Sequence, residues 1–311
     1  MRGAAQPFSN IADVTDKFAA QGYLSDRLLS TTVYLAATLG KPIFLEGEPG
    51  VGKTELAKVM AAVLDTELIR LQCYEGLDTN TALYEWNYPR QMLEVRLEEA
   101  RGMAGDEIGA NIFSEAFLLR RPLLRAIDDH ANKPPVLLID EVDRSDEEFE
   151  AFLLEVLSDF QVTIPEIGTL RAKQPPFVIL TSNRTRELHD ALKRRCLYHW
   201  ISYPDFAKEI DIVNVKVVGI QRRLARQVCG FMQLMREQEF YKRPGIAETI
   251  DWACALMSLE IDELDTDTIT TTIGCILKYK GDVDKLFDMD LEAFLHQVAE
   301  AADRDAPTAA A

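Results

Sequence analysis

Residues 47 to 54 read Gly-Glu-Pro-Gly-Val-Gly-Lys-Thr, which fits the pattern G-x-x-x-x-G-K-[ST]. Glycines allow successive backbone N–H groups to turn inward and surround an anion. An apolar segment precedes the pattern at 42–46, and a segment with helical spacing follows it at 55–64. A strand, a glycine-rich turn and a helix in this order predict a phosphate-binding loop in an α/β fold. We therefore expect the chain to bind a nucleoside triphosphate.

The residue types in this loop suit ATP with Mg²⁺. The Lys53 ammonium can reach the β- and γ-phosphates, and the Thr54 hydroxyl can ligate the metal. The predicted cofactor-binding residues are Gly47, Glu48, Pro49, Gly50, Val51, Gly52, Lys53, Thr54 and Glu55.

Composition narrows the class of partner. The chain has 311 residues, 47% of them hydrophobic, and a formal net charge of −17. This length is enough for two domains. A strongly acidic protein repels nucleic-acid phosphates, whereas proteins that bind them usually present a basic face. We expect a protein partner and no nucleic acid.

No apolar run approaches the roughly 20 residues that span a bilayer, and the first residues lack an apolar signal core. We expect a cytoplasmic protein with no stable membrane insertion. The five cysteines form no C-x-x-C pair, so reduced buried thiols are a better interpretation than a zinc site or a disulfide framework.

Strand and helix patterns alternate up to about residue 204, and only helical patterns follow. Five apolar strand candidates in alternation with helices predict a parallel five-stranded sheet. The predicted divisions are an N-terminal segment at 1–24, an α/β core at 25–204, an all-helical domain at 205–302 and a disordered tail at 303–311.

Several features are predicted inside the core. Residues 78–100 read as largely helical with an interruption at Pro89, and 113–127 as a helix with a break at Pro122. Glycines between 102 and 109 indicate a mobile loop. Residues 161–172 read as a hairpin, which could be a connector or a lining of a channel.

Two acidic residues, Asp140 and Glu141, directly follow the apolar run 136–139. In a parallel sheet they would lie at the carboxyl end of a strand, where open α/β sheets hold ligands. Asp140 is predicted to bind Mg²⁺, and Glu141 to act as the general base that activates water. The alternative is a solvated acidic pair that opens a helix.

Asn183 follows the next apolar strand candidate, at 177–181. Its amide could polarise the attacking water at the same sheet edge. The alternative is a helix cap, which is a common use of asparagine.

Three arginines are candidates for contact with nucleotide. Arg195, with Arg194 second, could be a finger supplied to a neighbouring subunit, or both could complement a helix C-terminus. Arg243 could reach nucleotide from the helical domain, or could be a solvated loop residue.

Taken in this order, these motifs resemble the AAA+ ATPases over roughly residues 25 to 300. Five segments are more narrowly similar to the MoxR branch and, within it, to CoxD-like proteins, which assist maturation of molybdenum-containing carbon monoxide dehydrogenase. These segments are 76–79, 83–88, 140–144, 164–169 and 176–188. In this branch the region at about 75–112 carries an extra segment beside the second helix.

The resemblance implies an ATP-hydrolysing chaperone that assembles as a ring, most often a hexamer, with a helical lid. It also implies a partner with a von Willebrand factor A domain and a metalloenzyme client. Many MoxR members place proline before the sensor arginine, whereas here Pro244 follows Arg243, so Lys242 is a second candidate for that role.

The aromatic residues Tyr84, Trp86 and Tyr88 alternate as in a strand or an extended loop. Core packing is the favoured interpretation, and a loop that grips a client is the other. Besides a remodelling chaperone for a metalloenzyme or for another client, two functions remain open: a nucleic-acid motor or loader, and a nucleotide-dependent switch. The net acidity disfavours the motor, and the pair Asp140 and Glu141 disfavours the switch.

Overall fold

The structure is a computed structural model that describes residues 6–101, 112–128 and 133–304. The described residues divide into two compact units. The first contains residues of Met1–Gln21, Ser25–Glu46 and Thr54–Trp200, and the second contains residues of Gly22–Leu24, Gly47–Lys53 and Ile201–Ala311. The segment 47–53 thus groups with the helical unit, although its neighbours in the sequence belong to the sheet.

The strands within the described residues are β1 (Ile43–Gly47), β2 (Leu68–Gln72), β3 (Tyr84–Trp86), β4 (Leu118–Arg120), β5 (Val136–Asp140), β6 (Gln161–Ile164), β7 (Gly168–Arg171), β8 (Phe177–Ser182) and β9 (Leu197–Ile201). Five of them form one sheet in the order β2-β5-β8-β1-β9. The pairs β2–β5, β5–β8 and β8–β1 are parallel. The prediction of an α/β fold with a five-stranded parallel sheet is confirmed.

The α-helices are α1 (Ile11–Ala20), α2 (Arg27–Leu39), α3 (Lys53–Leu64), α4 (Thr79–Ala82), α5 (Tyr88–Ala100), α6 (Pro122–Ile127), α7 (Glu147–Asp159), α8 (Asp190–Lys193), α9 (Phe206–Lys216), α10 (Arg222–Glu237), α11 (Ile246–Ser258), α12 (Thr266–Thr272), α13 (Lys280–Phe287) and α14 (Leu291–Arg304). Short 3₁₀ turns lie at Glu115–Phe117, Val142–Arg144 and Ile273–Cys275. No helix within the described ranges is both long and apolar enough to cross a bilayer.

Burial explains why the central strands read as apolar runs. All five residues of β1 and all five of β5 are buried, as expected for parallel strands covered on both faces. The register pairs Gln72 with Asp140 and Glu46 with Ser182. The carboxyl ends of these strands therefore meet at one edge, where polar residues end each apolar run.

The second unit has a separate core. Trp252 packs on Phe231 with ring centroids 5.1 Å apart, and its indole donates to Thr272 Oγ1 at 2.8 Å. In the same unit the buried Arg236 donates through two nitrogens to the Glu209 carboxylate, at 2.6 and 2.7 Å. A buried ion pair that is fully hydrogen-bonded compensates both charges and fixes how α9 and α10 meet.

Two predicted helices are corrected by the structure. Residues 78–100 form α4, then β3, then α5, and Pro89 lies in the first turn of α5, where the missing N–H costs nothing. Residues 113–127 form a 3₁₀ turn, β4 and α6, with Pro122 as the first residue of the helix. β3 and β4 pair as an antiparallel ribbon. In both cases proline begins a helix and does not interrupt one.

Other predicted elements agree more closely. Within the segment predicted as a hairpin, 161–172, β6 and β7 pair antiparallel. The segment predicted as 1–24 contains α1, and the predicted tail at 303–311 overlaps the last two residues of α14. Residues 305–311 and the glycine-rich stretch at 102–109 lie outside the described residues.

Candidate active site

Asp140, the last residue of β5, is buried, as is Thr181, which contacts it. Its Oδ1 accepts a hydrogen bond from Thr181 Oγ1 at 2.6 Å and another from Thr54 Oγ1 at 3.1 Å. Thr54 belongs to the first turn of α3, and Thr181 to the adjacent strand β8. The structure thus brings together Thr54 and Asp140, the two predicted metal ligands.

The oxygen atoms of Thr54 and Asp140 suit Mg²⁺, a hard cation that is bound by oxygen ligands. Across the ranges that the structure describes, no group of three or more His, Cys, Asp and Glu side chains could hold a metal ion. One carboxylate and one hydroxyl fit Mg²⁺ better than a metal that needs an all-protein cage, because Mg²⁺ usually takes its remaining ligands from water and substrate phosphates.

Sequence reasoning missed Arg70, which lies on β2 next to Asp140. Arg70 Nε donates to Asp140 Oδ2 at 2.9 Å, and Arg70 Nη2 donates to the same oxygen at 2.5 Å. Gln72, also missed, is two residues further along the strand and contacts Arg70 Nη2 through its Oε1. Polar residues at positions 70 and 72 share one strand face, which is the signal that could have identified them.

Glu141 has a strained backbone and a well-defined set of partners. Its φ of 55° lies in the left-handed region, which costs a non-glycine residue about 1 kcal/mol or more. Its backbone N–H donates to Thr181 Oγ1 at 2.9 Å. Its carboxylate accepts from Asn183 Nδ2 at 3.3 Å and from Gln72 Nε2 at 3.1 Å. The predicted base therefore lies beside the predicted Asn183, with Gln72 as an additional partner.

Asp143 positions Asn183. Its buried carboxylate accepts from the backbone N–H of Asn183 at 3.2 Å and from the N–H and hydroxyl of Thr185 at 2.8 and 2.7 Å. These bonds fix the turn that follows β8. The sequence showed Asp143 only as part of an acidic motif.

Cys73 lies just beyond β2, and its N–H donates to the carbonyl oxygen of Asp140 at 2.9 Å. Burial raises the pKa of the Cys73 thiol to about 12, and the negative charges of Asp140, Asp143 and Glu141 add to the effect. A thiol in this environment stays neutral, so Cys73 serves as a small buried residue and not as a nucleophile.

The glycine-rich loop, residues 47–53, belongs to the second unit. Gly50 and Gly52 have φ values of 77° and 92°, which only glycine adopts readily. Lys53 is 7% exposed, and its ammonium donates to the carbonyl oxygens of Gly47 and Glu48 at 2.7 Å each. The backbone carbonyls of the loop therefore bind the ammonium of its own lysine. The neighbouring Glu55 pairs with Lys58 at 3.1 Å.

Within the second unit this loop packs on the start of α11. The N–H of Ala247 donates to the Gly50 carbonyl at 3.1 Å. Gly245, the N-cap of α11, lies so close that an added Cβ would be 2.8 Å from the Pro49 oxygen. Glu248 Oε2 accepts from the Gly245 N–H at 2.9 Å. A glycine at 245 is required by this close approach of two backbones.

Arg243, the candidate on the helical unit, is exposed two residues before Gly245. Burial raises the pKa of Tyr203 to about 12; Glu48 also raises this pKa, whereas Arg236 and Arg243 lower it. Arg243 is thus within electrostatic range of Tyr203, as is the loop residue Glu48. The backbone N–H of Lys242 donates to Asp282 Oδ2 at 3.3 Å, and Lys242 is exposed as well.

Arg194 and Arg195, the candidate finger residues, are exposed at the end of α8. Arg195 Nε donates to Ser158 Oγ at 2.9 Å, and its Nη1 donates to the Ala191 carbonyl at 3.1 Å. These contacts orient Arg195 on the surface of the first unit. Its action on a neighbouring subunit stays a prediction.

Comparison with known proteins gives a consistent family. A family model described as "AAA domain (dynein-related subfamily)" matches residues 42–196. Chaperone protein ClpB of Chlamydia trachomatis is 28% identical in an alignment of 249 positions, which covers 71% of this chain and 25% of ClpB. An uncharacterized protein of Staphylococcus aureus is 29% identical over 228 residues, covering 71% of this chain and 77% of that protein. Thus this chain spans about a quarter of ClpB.

Among solved structures, the Thermotoga maritima RuvB Holliday junction branch migration motor is similar. The alignment covers 80% of this chain and 67% of that one, with 18% sequence identity and a TM-score of 0.44.

Proposed function

This chain belongs to the AAA+ ATPases, and we propose that it uses ATP hydrolysis to remodel a protein client during the maturation of a metalloenzyme. A molybdenum hydroxylase such as carbon monoxide dehydrogenase is the client we favour. The observation that carries the hydrolytic part is the arrangement at the sheet edge, where Asp140 is held by Thr54 and Glu141 by Asn183.

The residues have distinct roles in the proposed reaction. Lys53 binds the β- and γ-phosphates of ATP. To do so, its ammonium leaves the loop carbonyls and donates its hydrogen bonds to the phosphate oxygens. Thr54 and Asp140 hold Mg²⁺, which when bound neutralises charge on the phosphates. Glu141 accepts a proton from the attacking water, and Asn183 orients that water.

Glu141 already has partners that would hold it for this role. Gln72 and Asn183 each donate to one of its two carboxylate oxygens, at 3.1 and 3.3 Å. Both bonds are long enough to exchange for a bond to water without loss of a strong interaction. These two bonds orient the base near the end of β5.

Completion of the site by a neighbouring subunit is part of the proposal. Arg195, or else Arg194, would contact the nucleotide of the adjacent copy in a ring, most often of six copies. Arg243, or Lys242 beside it, would contact nucleotide from the helical unit. The exposure of all four residues supports this assignment, because each is accessible to a ligand or to a second chain.

A protein client is favoured over nucleic acid by charge. The formal net charge of −17 opposes binding to phosphate backbones. ClpB, to which part of this chain is similar, is named a chaperone. The proposed partner is a protein with a von Willebrand factor A domain, in the cytoplasm.

The proposal is tested by the variant Glu141→Gln, purified from its own cells in the presence of ATP. We expect it to retain a molybdenum hydroxylase or a von Willebrand factor A protein. The double variant Lys53→Ala, Glu141→Gln is the control and should retain neither, because it lacks the ammonium for phosphate. Retention of DNA, or hydrolysis that DNA stimulates in a salt-sensitive way, would contradict the proposal and favour a nucleic-acid motor.

A further inference from the structure

We propose that Arg70 is the resident counter-ion of Asp140 and that it must leave this carboxylate when Mg²⁺ binds there with nucleotide. Arg70 is a positioning residue in this account, and it sets the metal concentration at which nucleotide is held. The inference rests on the proposed function, because it takes Thr54 and Asp140 as the Mg²⁺ ligands.

The geometry divides the Asp140 carboxylate between two kinds of donor. Oδ1 accepts from two neutral hydroxyls, Thr181 at 2.6 Å and Thr54 at 3.1 Å. Oδ2 accepts from two nitrogens of Arg70, at 2.9 and 2.5 Å, and from Thr54 at a longer 3.4 Å. Arg70 therefore supplies the positive charge, and the threonines supply only dipoles.

Asp140 needs that charge. Its side chain is 3% exposed, and an ionised carboxylate taken out of water is costly unless a cation compensates it. A charge-assisted hydrogen bond is about twice as strong as a neutral one, and here two converge on one oxygen. This guanidinium lies on the same carboxylate oxygen that a divalent cation would use.

Arg70 and Mg²⁺ then compete for Oδ2. A guanidinium and a divalent cation on the same carboxylate oxygen repel each other, and Mg²⁺ requires close oxygen ligands in a regular geometry. The Arg70 side chain can move away from Asp140, because it is 52% exposed and its Nη2 already contacts Gln72 Oε1.

The same movement reaches the proposed base. Gln72 contacts Arg70 through Oε1 and donates through Nε2 to Glu141 Oε2 at 3.1 Å. When Arg70 leaves Asp140, its contact with Gln72 changes. Gln72 is the residue that donates to Glu141. This chain of contacts connects the metal carboxylate with the base within the first unit.

The experiment compares wild type with Arg70→Gln and with Arg125→Gln as the matched control. Arg125 also forms an ion pair between neighbouring elements, with Glu67, but both side chains are about half exposed. Binding of a fluorescent ADP is measured during Mg²⁺ titration, a readout that needs no hydrolysis. We expect the Mg²⁺ midpoint of Arg70→Gln to fall at least about tenfold, because both charge-assisted hydrogen bonds to Oδ2 are lost. The midpoint of Arg125→Gln should stay unchanged.

Melting temperature without metal is the second readout. Arg70→Gln should be less stable than wild type in EDTA and should gain more from Mg²⁺ with ADP. If Arg70→Gln does not fold, Arg70→Lys carries the test, because it keeps the charge with a single nitrogen and should lower the midpoint by a smaller factor. A midpoint that is unchanged or raised in the folded variant would overturn the proposal. Absence of Mg²⁺-dependent binding in wild type would instead refute the metal assignment in the proposed function.

Discussion

Lys53 is held by the backbone of its own loop. Its ammonium donates to two loop carbonyls at 2.7 Å and is 7% exposed, so it lies where the loop's backbone converges. Phosphate oxygens would replace these carbonyls as acceptors, at the N-terminal end of α3. The sequence alone was enough to single out this residue, because the glycine spacing and the lysine belong to one continuous segment.

Lys53→Ala is expected to weaken ATP binding about a hundredfold or more, since it removes a charge-assisted contact with phosphate. Isothermal titration with ATP and Mg²⁺ measures the affinity. Lys58→Ala is the matched control, because Lys58 lies on the same helix and forms only an exposed pair with Glu55. Equal affinities of the two variants would contradict the role given to Lys53.

The buried cysteines give a prediction about pH. Burial raises the pKa of Cys73 and of Cys196 from 9.0 to about 12, whereas Cys254 is exposed. Only the thiolate reacts, so native Cys73 and Cys196 should resist alkylation at pH 8 to 10 while Cys254 reacts readily. The pKa of each buried thiol is higher in the folded protein than in the unfolded chain. Their contribution to the free energy of unfolding is therefore complete below pH 9 and is lost as pH rises towards 12. Mass spectrometry of the alkylated sites checks this, and early labelling of Cys73 in folded protein would contradict it.

At the scale of elements, apolar runs with polar ends predicted the sheet edge correctly. β5 and β8 were recognisable because parallel strands buried on both faces read as continuous apolar runs. β3 and β4 were missed because each has three residues, too few for a period-two pattern beside helix-like neighbours. Arg70 and Gln72 were missed for another reason: their role depends on the register that places β2 beside β5.

The contact of the glycine-rich loop with α11 predicts the effect of Gly245→Ala. An added Cβ would lie 2.8 Å from the Pro49 oxygen and 2.9 Å from Gly50 Cα, so one backbone must move. We expect a lower melting temperature and a weaker ATP affinity, measured by calorimetry and titration. Gly281→Ala is the control, because an added Cβ meets nothing within 4 Å there and the residue lies in the first turn of α13. Its melting temperature and ATP affinity should not fall. Unchanged ATP affinity in a folded Gly245→Ala protein would show that the contact does not support the loop.

At the scale of the whole molecule, the proposed ring predicts complementation between two inactive variants. Arg195→Ala should bind ATP normally and hydrolyse it about a thousandfold more slowly, since a finger residue is worth roughly 10³–10⁵ in rate. Mixing it with Glu141→Gln should restore part of the ATPase rate, because some interfaces then combine an intact base with an intact finger. Arg194→Ala, tested in the same mixture, shows which arginine acts. No recovery in either mixture would contradict action between subunits.

Composition favours a class of partner at this scale but does not identify the partner. The net charge of −17 is a property of the whole surface, so it opposes nucleic acid without selecting a particular protein. Client and partner recognition depends on which side chains a folded surface presents together, and single segments do not contain that information. The proposed role of Arg194 and Arg195 likewise depends on the position of a second copy of the chain.

The most direct test of the account is the ATPase rate of Glu141→Gln, measured beside its ATP affinity. Glu147→Gln, a change at an exposed acid in the first turn of α7, is the matched control. We predict unchanged ATP affinity and a rate at least about a hundredfold below wild type, as loss of a general base implies, with a normal rate for the control. A Glu141→Gln protein that binds ATP and hydrolyses it at the wild-type rate would contradict the assignment of the catalytic site at the edge of this sheet.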